Sequence, residues 1–366
     1  MKKYTLLFLF ILFISSAFAQ QPVTFDQMVS RMTKPYHEDT FPRKFFPRDE
    51  KYTISLSDQP LPLVLKDTII KTPGRCARSI AGAVLFRDNL VILSASGRFT
   101  CYRPDDLSRN EEFEKKLNTK IWCSHQILNN QLIAQSAEQP FYFTAANTWE
   151  TYKAPATVKE TTPLYEDEDY FCYSECHGEW GGMIYFFDKR TGSTYFTGAG
   201  CARSVLKKAG KYYVLSSLRH MSGSSDLVEI ADPRKLSECA SEMSYGTMRW
   251  MDRKAADTAK HAVSVFDVYG LVVHAIFSIE DRFISLGSWR QQTFLCEIDQ
   301  DMTTIVHPFF NESFSPYSAS TNGYGEIQLV NISTGTWNDT YVAITLIIKG
   351  NKITRITWNQ PLFDGE

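Results

Sequence analysis

The chain has 366 residues, and 39 Lys and Arg against 41 Asp and Glu give a formal net charge of −2. That balance excludes an overall basic field that would draw in nucleic acid or an anionic membrane surface. Aromatic residues make up 14% of the chain, a content that suits packing on pleated sheets and also stacking against sugars or peptides.

The chain begins with basic Met1-Lys2-Lys3, an apolar run over residues 4–14, and the small-x-small triplet Ala17-Phe18-Ala19. This pattern predicts a signal peptide over residues 1–19 and a mature chain from Gln20. The apolar run is too short to span a bilayer comfortably, and no cysteine follows the cleavage point to carry a lipid. No later run is long enough either, so the protein is expected to be exported, periplasmic or extracellular, without a transmembrane anchor.

Residues 20–366 are predicted as a single domain, with 20–58 an irregular lead-in. Thr24 to Gln27 matches a capping box, and Phe25, Met28, Val29 and Met32 have helical spacing, which predicts a short helix. Pro35, Pro42 and Pro47 then break regular structure, and the alternating run that follows is expected to enter the first sheet.

From residue 76 onward one unit recurs. An apolar strand meets a tight polar turn, and a second apolar strand ends in small residues. Its turns fall at Asp88, Asn129, Ala209, Glu280 and Gly350. Several copies continue into a third strand. Another hairpin is expected across Met183 to Thr197, with Gly192 supplying the positive φ of its turn. Cys76-Ala77-Arg78-Ser79 and Cys201-Ala202-Arg203-Ser204 precede matching hairpins. Recurring antiparallel meanders predict an all-β fold, a β-propeller of five to seven blades with small insertions. The insertions include helices over 108–118 and 235–243.

Eight cysteines in an exported chain point to disulfides, and eight allow 105 pairings. Cys172 and Cys176, four apart on one strand, would lie about 13 Å from each other and so are not expected to pair. No pair of close Cys-x-x-Cys motifs marks a metal site, so none is predicted.

The densest set of groups that could do chemistry lies in ECHGEWGG. On an extended strand Glu175, His177 and Glu179 would share one face, where two carboxylates flank an imidazole. Trp180 could stack on a sugar ring. His220, at a strand end before a Ser-Gly loop, and the equivalent Arg78 and Arg203 complete the candidate ligand-binding set. The acidic run Glu166 to Asp169 reads as a solvated loop. No nucleophile elbow, Walker loop, dinucleotide fingerprint or His-Glu-x-x-His motif is present, so no cofactor is assigned.

The signal sequence, ECHGEWGG (Glu175 to Gly182) and GKYYVLSSLRHMSG (Gly210 to Gly223) together resemble uncharacterised exported propeller-like proteins of Gram-negative bacteria. The resemblance covers about the middle third of the chain and implies a fold without an activity. The expected function is therefore binding of a ligand or partner, such as a glycan, a peptide or another exported protein. A carboxylate-dependent hydrolase acting on glycans is the alternative.

Overall fold

In a computed structural model of the chain, the described residues are 53–56, 61–71, 81–94, 96–153, 162–219, 223–239, 261–280, 282–289, 292–299, 302–308, 316–336 and 339–359. The segments predicted as signal sequence and lead-in helix, Arg78 and His220 lie outside them.

The five repeated hairpins form where the turn chemistry puts them. Phe86 pairs with Asn89, Leu128 with Gln131, Lys208 with Lys211, Ile279 with Arg282, and Lys349 with Lys352. Each pair is separated by a two-residue turn, and such turns need positive φ to match the twist of the strands they join. Asp88 (55°), Asn129 (47°), Ala209 (50°), Glu280 (51°) and Gly350 (56°) all take it.

Six sheets result among the described residues. Blade I holds Ala81–Phe86, Asn89–Leu93 and Phe99–Tyr102. Blade II holds Ser124–Leu128, Gln131–Gln135, Pro140–Phe143 and Trp149–Thr151. Blade III runs Thr162–Glu166, Tyr170–Cys176, Gly182–Asp188 and Thr194–Ala199, with Ser237–Glu238 on its edge. Blade IV runs Ala202–Lys208, Lys211–Leu218, Ser224–Ile230 and Ala262–Tyr269. Blade V runs Val272–Ile279, Arg282–Trp289, Gln292–Asp299 and Met302–Pro308. Blade VI runs Pro316–Tyr324, Ile327–Thr336, Asp339–Lys349 and Lys352–Asn359.

The buried side chains show that these sheets close into a ring. Cys101 of blade I packs with Phe141 of blade II. Leu128 of blade II packs with Tyr173 of blade III, and Phe186 of blade III with Val214 of blade IV. Phe266 of blade IV packs with Phe294 of blade V, Leu286 of blade V with Leu346 of blade VI, and Leu329 of blade VI with Leu90 of blade I. Each apolar cluster thus straddles one blade boundary, and the fold is a six-bladed β-propeller.

Polar staples cross the same boundaries. Gln328 and Asn331 are three apart on one strand of blade VI, so they leave it on opposite faces. Gln328 accepts from Ser278 N–H at 2.8 Å and donates to Ser278 C=O at 2.7 Å in blade V. Asn331 does the same to Ala83 of blade I, at 2.8 Å for both bonds, and accepts a third from Thr345 Oγ1 at 3.0 Å.

Several expectations are corrected. The alternating N-terminal run does not enter the first sheet. Thr53–Leu56, inside the segment read as irregular, pairs parallel to Met302–Pro308 on the edge of blade V. Val64–Lys71 pairs parallel to Lys352–Asn359 on the edge of blade VI. The physical reason is that the outer strands of those two blades offered unpaired backbone groups, whereas blade I begins afresh at Ala81. The fifth hairpin occupies the third and fourth positions of its sheet, because Pro316–Tyr324 and Ile327–Thr336 precede it.

The predicted insertion helix forms over Glu111–Leu117, but its N-cap is Asn110, whose side chain accepts from Phe113 N–H at 3.1 Å. Ser108 is instead held in a turn by Asp106. Of the predicted 235–243 helix, the described residues 235–239 instead hold the end of a 3₁₀ turn, Pro233–Lys235, and the edge strand Ser237–Glu238.

The acidic run is not solvated throughout. Glu166 pairs with Lys189 at 2.6 Å. Asp167 of blade III accepts from Lys207 Nζ and, at 2.7 Å, from Tyr212 Oη, both in blade IV. Burial pushes the Asp167 carboxyl up, but those donors and two backbone N–H groups outweigh it and hold it below its ordinary value.

Candidate functional site

The inner ends of the blades surround an axial cavity of about 390 Å³. Five blades contribute to it: Gly82 to Val84 from blade I, His125 to Leu128 from blade II, Ser174 and Cys176 from blade III, Arg203 from blade IV, and Ala319 to Asn322 from blade VI. Its narrowness follows from the strand Pro316–Tyr324, which runs beside Val272–Ile279 of blade V and also reaches Ala202–Lys208 of blade IV.

One wall is covalent. Cys176 closes the strand Tyr170–Cys176 of blade III, and Cys201 stands just before the first strand of blade IV. They form a disulfide with Cα atoms 4.7 Å apart. Gly182 lies beside this bridge, in register with Cys176. A Cβ there would collide with the carbonyls of Glu175 and Gly200, so only glycine lets the three backbones approach this closely. Cys172 stays a buried thiol, in keeping with its expected failure to pair with Cys176.

The ECHGEWGG segment starts at this wall. The expectation of one Glu-His-Glu face is corrected: the strand ends at Cys176, and Gly178–Trp180 form a 3₁₀ turn. Gly178 (φ 64°) takes a conformation closed to most side chains, which breaks the alternation before Glu179, and Gly181 (φ 89°) closes the turn after it. Glu175 accepts from Tyr185 Oη at 3.2 Å, and His177 Nε2 lies 3.7 Å from the same carboxylate oxygen. Burial, with the Glu175 charge added, pushes the Tyr185 hydroxyl well above its ordinary range. Trp180 is 65% exposed on the turn. Glu175 and His177 thus stand together, none of Glu175, His177, Glu179 and Trp180 is among the lining residues, and of the sequence candidates within the described residues Arg203 alone lines the cavity.

Arg203 donates from Nε to the Ser217 carbonyl at 3.1 Å, within its own blade. Nearby, His274 bonds to Ser288 Oγ at 2.7 Å. Burial, reinforced by Arg219 and Arg203, holds its imidazole neutral, with a pKa lowered to about 3. On the neighbouring strand Asp226 sits near Gly200, where an added Cβ would lie 3.4 Å from its Oδ1. Burial, opposed by a Ser216 hydroxyl and reinforced by Asp267 across the strand pair, raises the Asp226 carboxyl to about 6.

Two lining residues escape a sequence reading. His125 bonds through Nε2 to the Val91 carbonyl at 3.2 Å, and its Nδ1 is buried without a partner. Burial, opposed by that bond, lowers its pKa to about 4. Thr321 is 4% exposed, and its Oγ1 also has no partner. The available signal was a polar residue inside an apolar strand pattern, as in SHQIL and YSAST, but many core positions share it. Among the described residues no group of three or more His, Cys, Asp or Glu could hold a metal ion.

No protein-family model and no curated protein matches the chain. Among solved structures it is similar to XC5397 from Xanthomonas campestris, described as a gluconolactonase, at 10% identity over 71% of this chain and 84% of that one, with a TM-score of 0.34. It is similar to BamB from Moraxella catarrhalis at 10% identity over 76% and 85%, with a TM-score of 0.28. It is also similar to the Bacteroides ovatus xyloglucan PUL GH43B at 14% identity over 55% of this chain, with a TM-score of 0.31, and spans 41% of that protein's length. These likenesses concern the course of the backbone and say nothing about chemistry.

Proposed function

We propose that this is an exported propeller that binds a small ligand, or the end of a partner chain, in its axial cavity without transforming it. The observation that carries this reading is the buried, unpartnered Thr321 hydroxyl in a cavity built by five blades. A buried polar atom without a partner costs about 1–3 kcal/mol, and a ligand that bonds it recovers that cost.

Export is supported by the signal-like N-terminus and by the disulfide, which suits an oxidising compartment. No helix among the described residues is long and apolar enough to cross a membrane. A glycan or peptide suits the site, and exposed Trp180 with the Glu175–His177 pair, in the same segment as Cys176 of the wall, would contact a longer ligand. A glycan hydrolase would need two carboxylates about 5–10 Å apart around one bond. Glu175 is engaged by Tyr185, Glu179 has left the strand, and no described lining residue is acidic.

The test is a calorimetric screen of glycans and short peptides against the mature protein, Ser320→Phe and Glu179→Gln. Ser320 lines the cavity, and a phenyl ring would fill part of it. Ligands should be recovered unchanged and should bind Ser320→Phe at least about tenfold more weakly. Turnover that Glu179→Gln abolishes, or binding indifferent to Ser320→Phe, refutes the reading.

A further inference from the structure

We propose that the axial cavity selects small organic monoanions that join one carboxylate to a nearby hydroxyl or amide N–H, the chemistry of hydroxy acids, sugar acids and acylamino acids. This rests on the cavity being the binding site and adds the charge and hydrogen-bond pattern of what enters.

The charge comes from Arg203, the one charged side chain among the described lining residues. Its Nε is anchored on the Ser217 carbonyl, which leaves the two terminal nitrogens as a planar fork. Such a fork matches a carboxylate through two parallel bonds. Arg219, at the end of the next strand of the same blade, lies outside the lining. Among the described lining residues no second cation stands beside it, so a dianionic phosphate ester would bring a second charge with no described counterpart.

The donor requirement comes from His125. Its Nε2 faces the Val91 carbonyl, and a carbonyl only accepts, so Nε2 carries the proton and Nδ1 is left as an acceptor. That acceptor is buried without a partner, so a hydroxyl or N–H on the ligand would satisfy it. Thr321 Oγ1, unpartnered as well, can donate or accept and therefore adds affinity without setting the sign. Asn331 is no competitor, because Ala83 and Thr345 already engage its amide. The volume of about 390 Å³ lies at the small end of ligand sites and fits a monosaccharide or a single acylated residue.

The experiment is calorimetric titration of the mature protein with D-glucuronate and N-acetylglycine, each beside its neutral amide, and with glucose 6-phosphate. Wild type should bind the acids about 10- to 100-fold more tightly than the amides. Arg203→Gln should erase that preference while melting at the wild-type temperature. Arg203→Lys, which keeps the charge but loses the fork, should fall between them, and Thr321→Val should weaken acid and amide alike. Equal binding of acid and amide, preference for the phosphate ester, or no acid bound at millimolar concentration overturns the inference. If neutral sugars or peptides still bind and Ser320→Phe still removes them, the cavity remains the site and only the charge assignment fails. Binding indifferent to Ser320→Phe removes both.

Discussion

Asn331 and Gln328 satisfy backbone groups that lie in other blades, so each amide does the work of a strand neighbour. Truncating Asn331 to Ala would strand the N–H and C=O of Ala83 at the boundary between the last blade and the first. The expected loss is about 2–4 kcal/mol, read as a lower urea midpoint. Gln328→Ala should cost a similar amount at the opposite boundary. Asn331 also begins an Asn-x-Ser triplet that matches a glycan acceptor, yet its nitrogen is committed to the Ala83 carbonyl. Asp226 makes a pH-dependent prediction. Its folded pKa of about 6 exceeds its ordinary 3.8, so the fold favours the protonated form. Stability contributed by this group is therefore present below about pH 4, falls as pH rises through 6, and is absent above it. Asp226→Asn should remove a difference on the order of 2 kcal/mol between pH 4 and pH 8, measured by chemical denaturation at each pH. A variant whose stability follows the wild-type pH profile would mean that another group sets it.

Each two-residue hairpin holds its own register, and that is why these elements were legible in the sequence. Asn129-Asn130 or Ala209-Gly210 between apolar runs declares a turn without reference to the rest of the chain. Ala209 is the imperfect one, since alanine at φ 50° carries a steric cost that asparagine or glycine avoids. Ala209→Asn should raise stability by about 0.5–1 kcal/mol, visible as a higher melting temperature. The ECHGEWGG segment was misjudged for a reason also present in its letters. Gly178 occupies a positive-φ position between Glu175 and Glu179, and reading the segment as one extended strand passed over the break it makes. The disulfide could not be read locally, because Cys176 and Cys201 meet across the boundary of two blades. Replacing both by Ser should cost about 3 kcal/mol, and dithiothreitol should lower the wild type by the same amount while leaving the double variant unchanged.

At the scale of the molecule, the ring is completed by strands that a local reading cannot place. Val64–Lys71 reads VLKDTIIK, and nothing in it names a partner some 288 residues away, where Arg355 grips Asp67 through two bonds of 2.7 Å. The all-β class and a range of five to seven blades were readable from repetition, whereas the exact number and the cavity were not, because blade III lacks the repeated turn and the lining is collected one short piece at a time from five sheets. Removing residues up to 72 should bare the edges of blades V and VI. The shortened protein should melt more than about 10 °C lower and run as higher oligomers in size-exclusion chromatography. A monomer with unchanged melting would show that the two parallel strands are dispensable.

Those parallel strands also fix an order of events. In a chain delivered head first, Val64–Lys71 arrives early and waits for almost the whole polypeptide before Lys352–Asn359 appears beside it. Contacts separated this far along the chain are the slowest to form, since the longest loop must close before they give any return. Until then the molecule is an open arc with sticky rims, so the interval before this last pairing is when it would most need a holding chaperone.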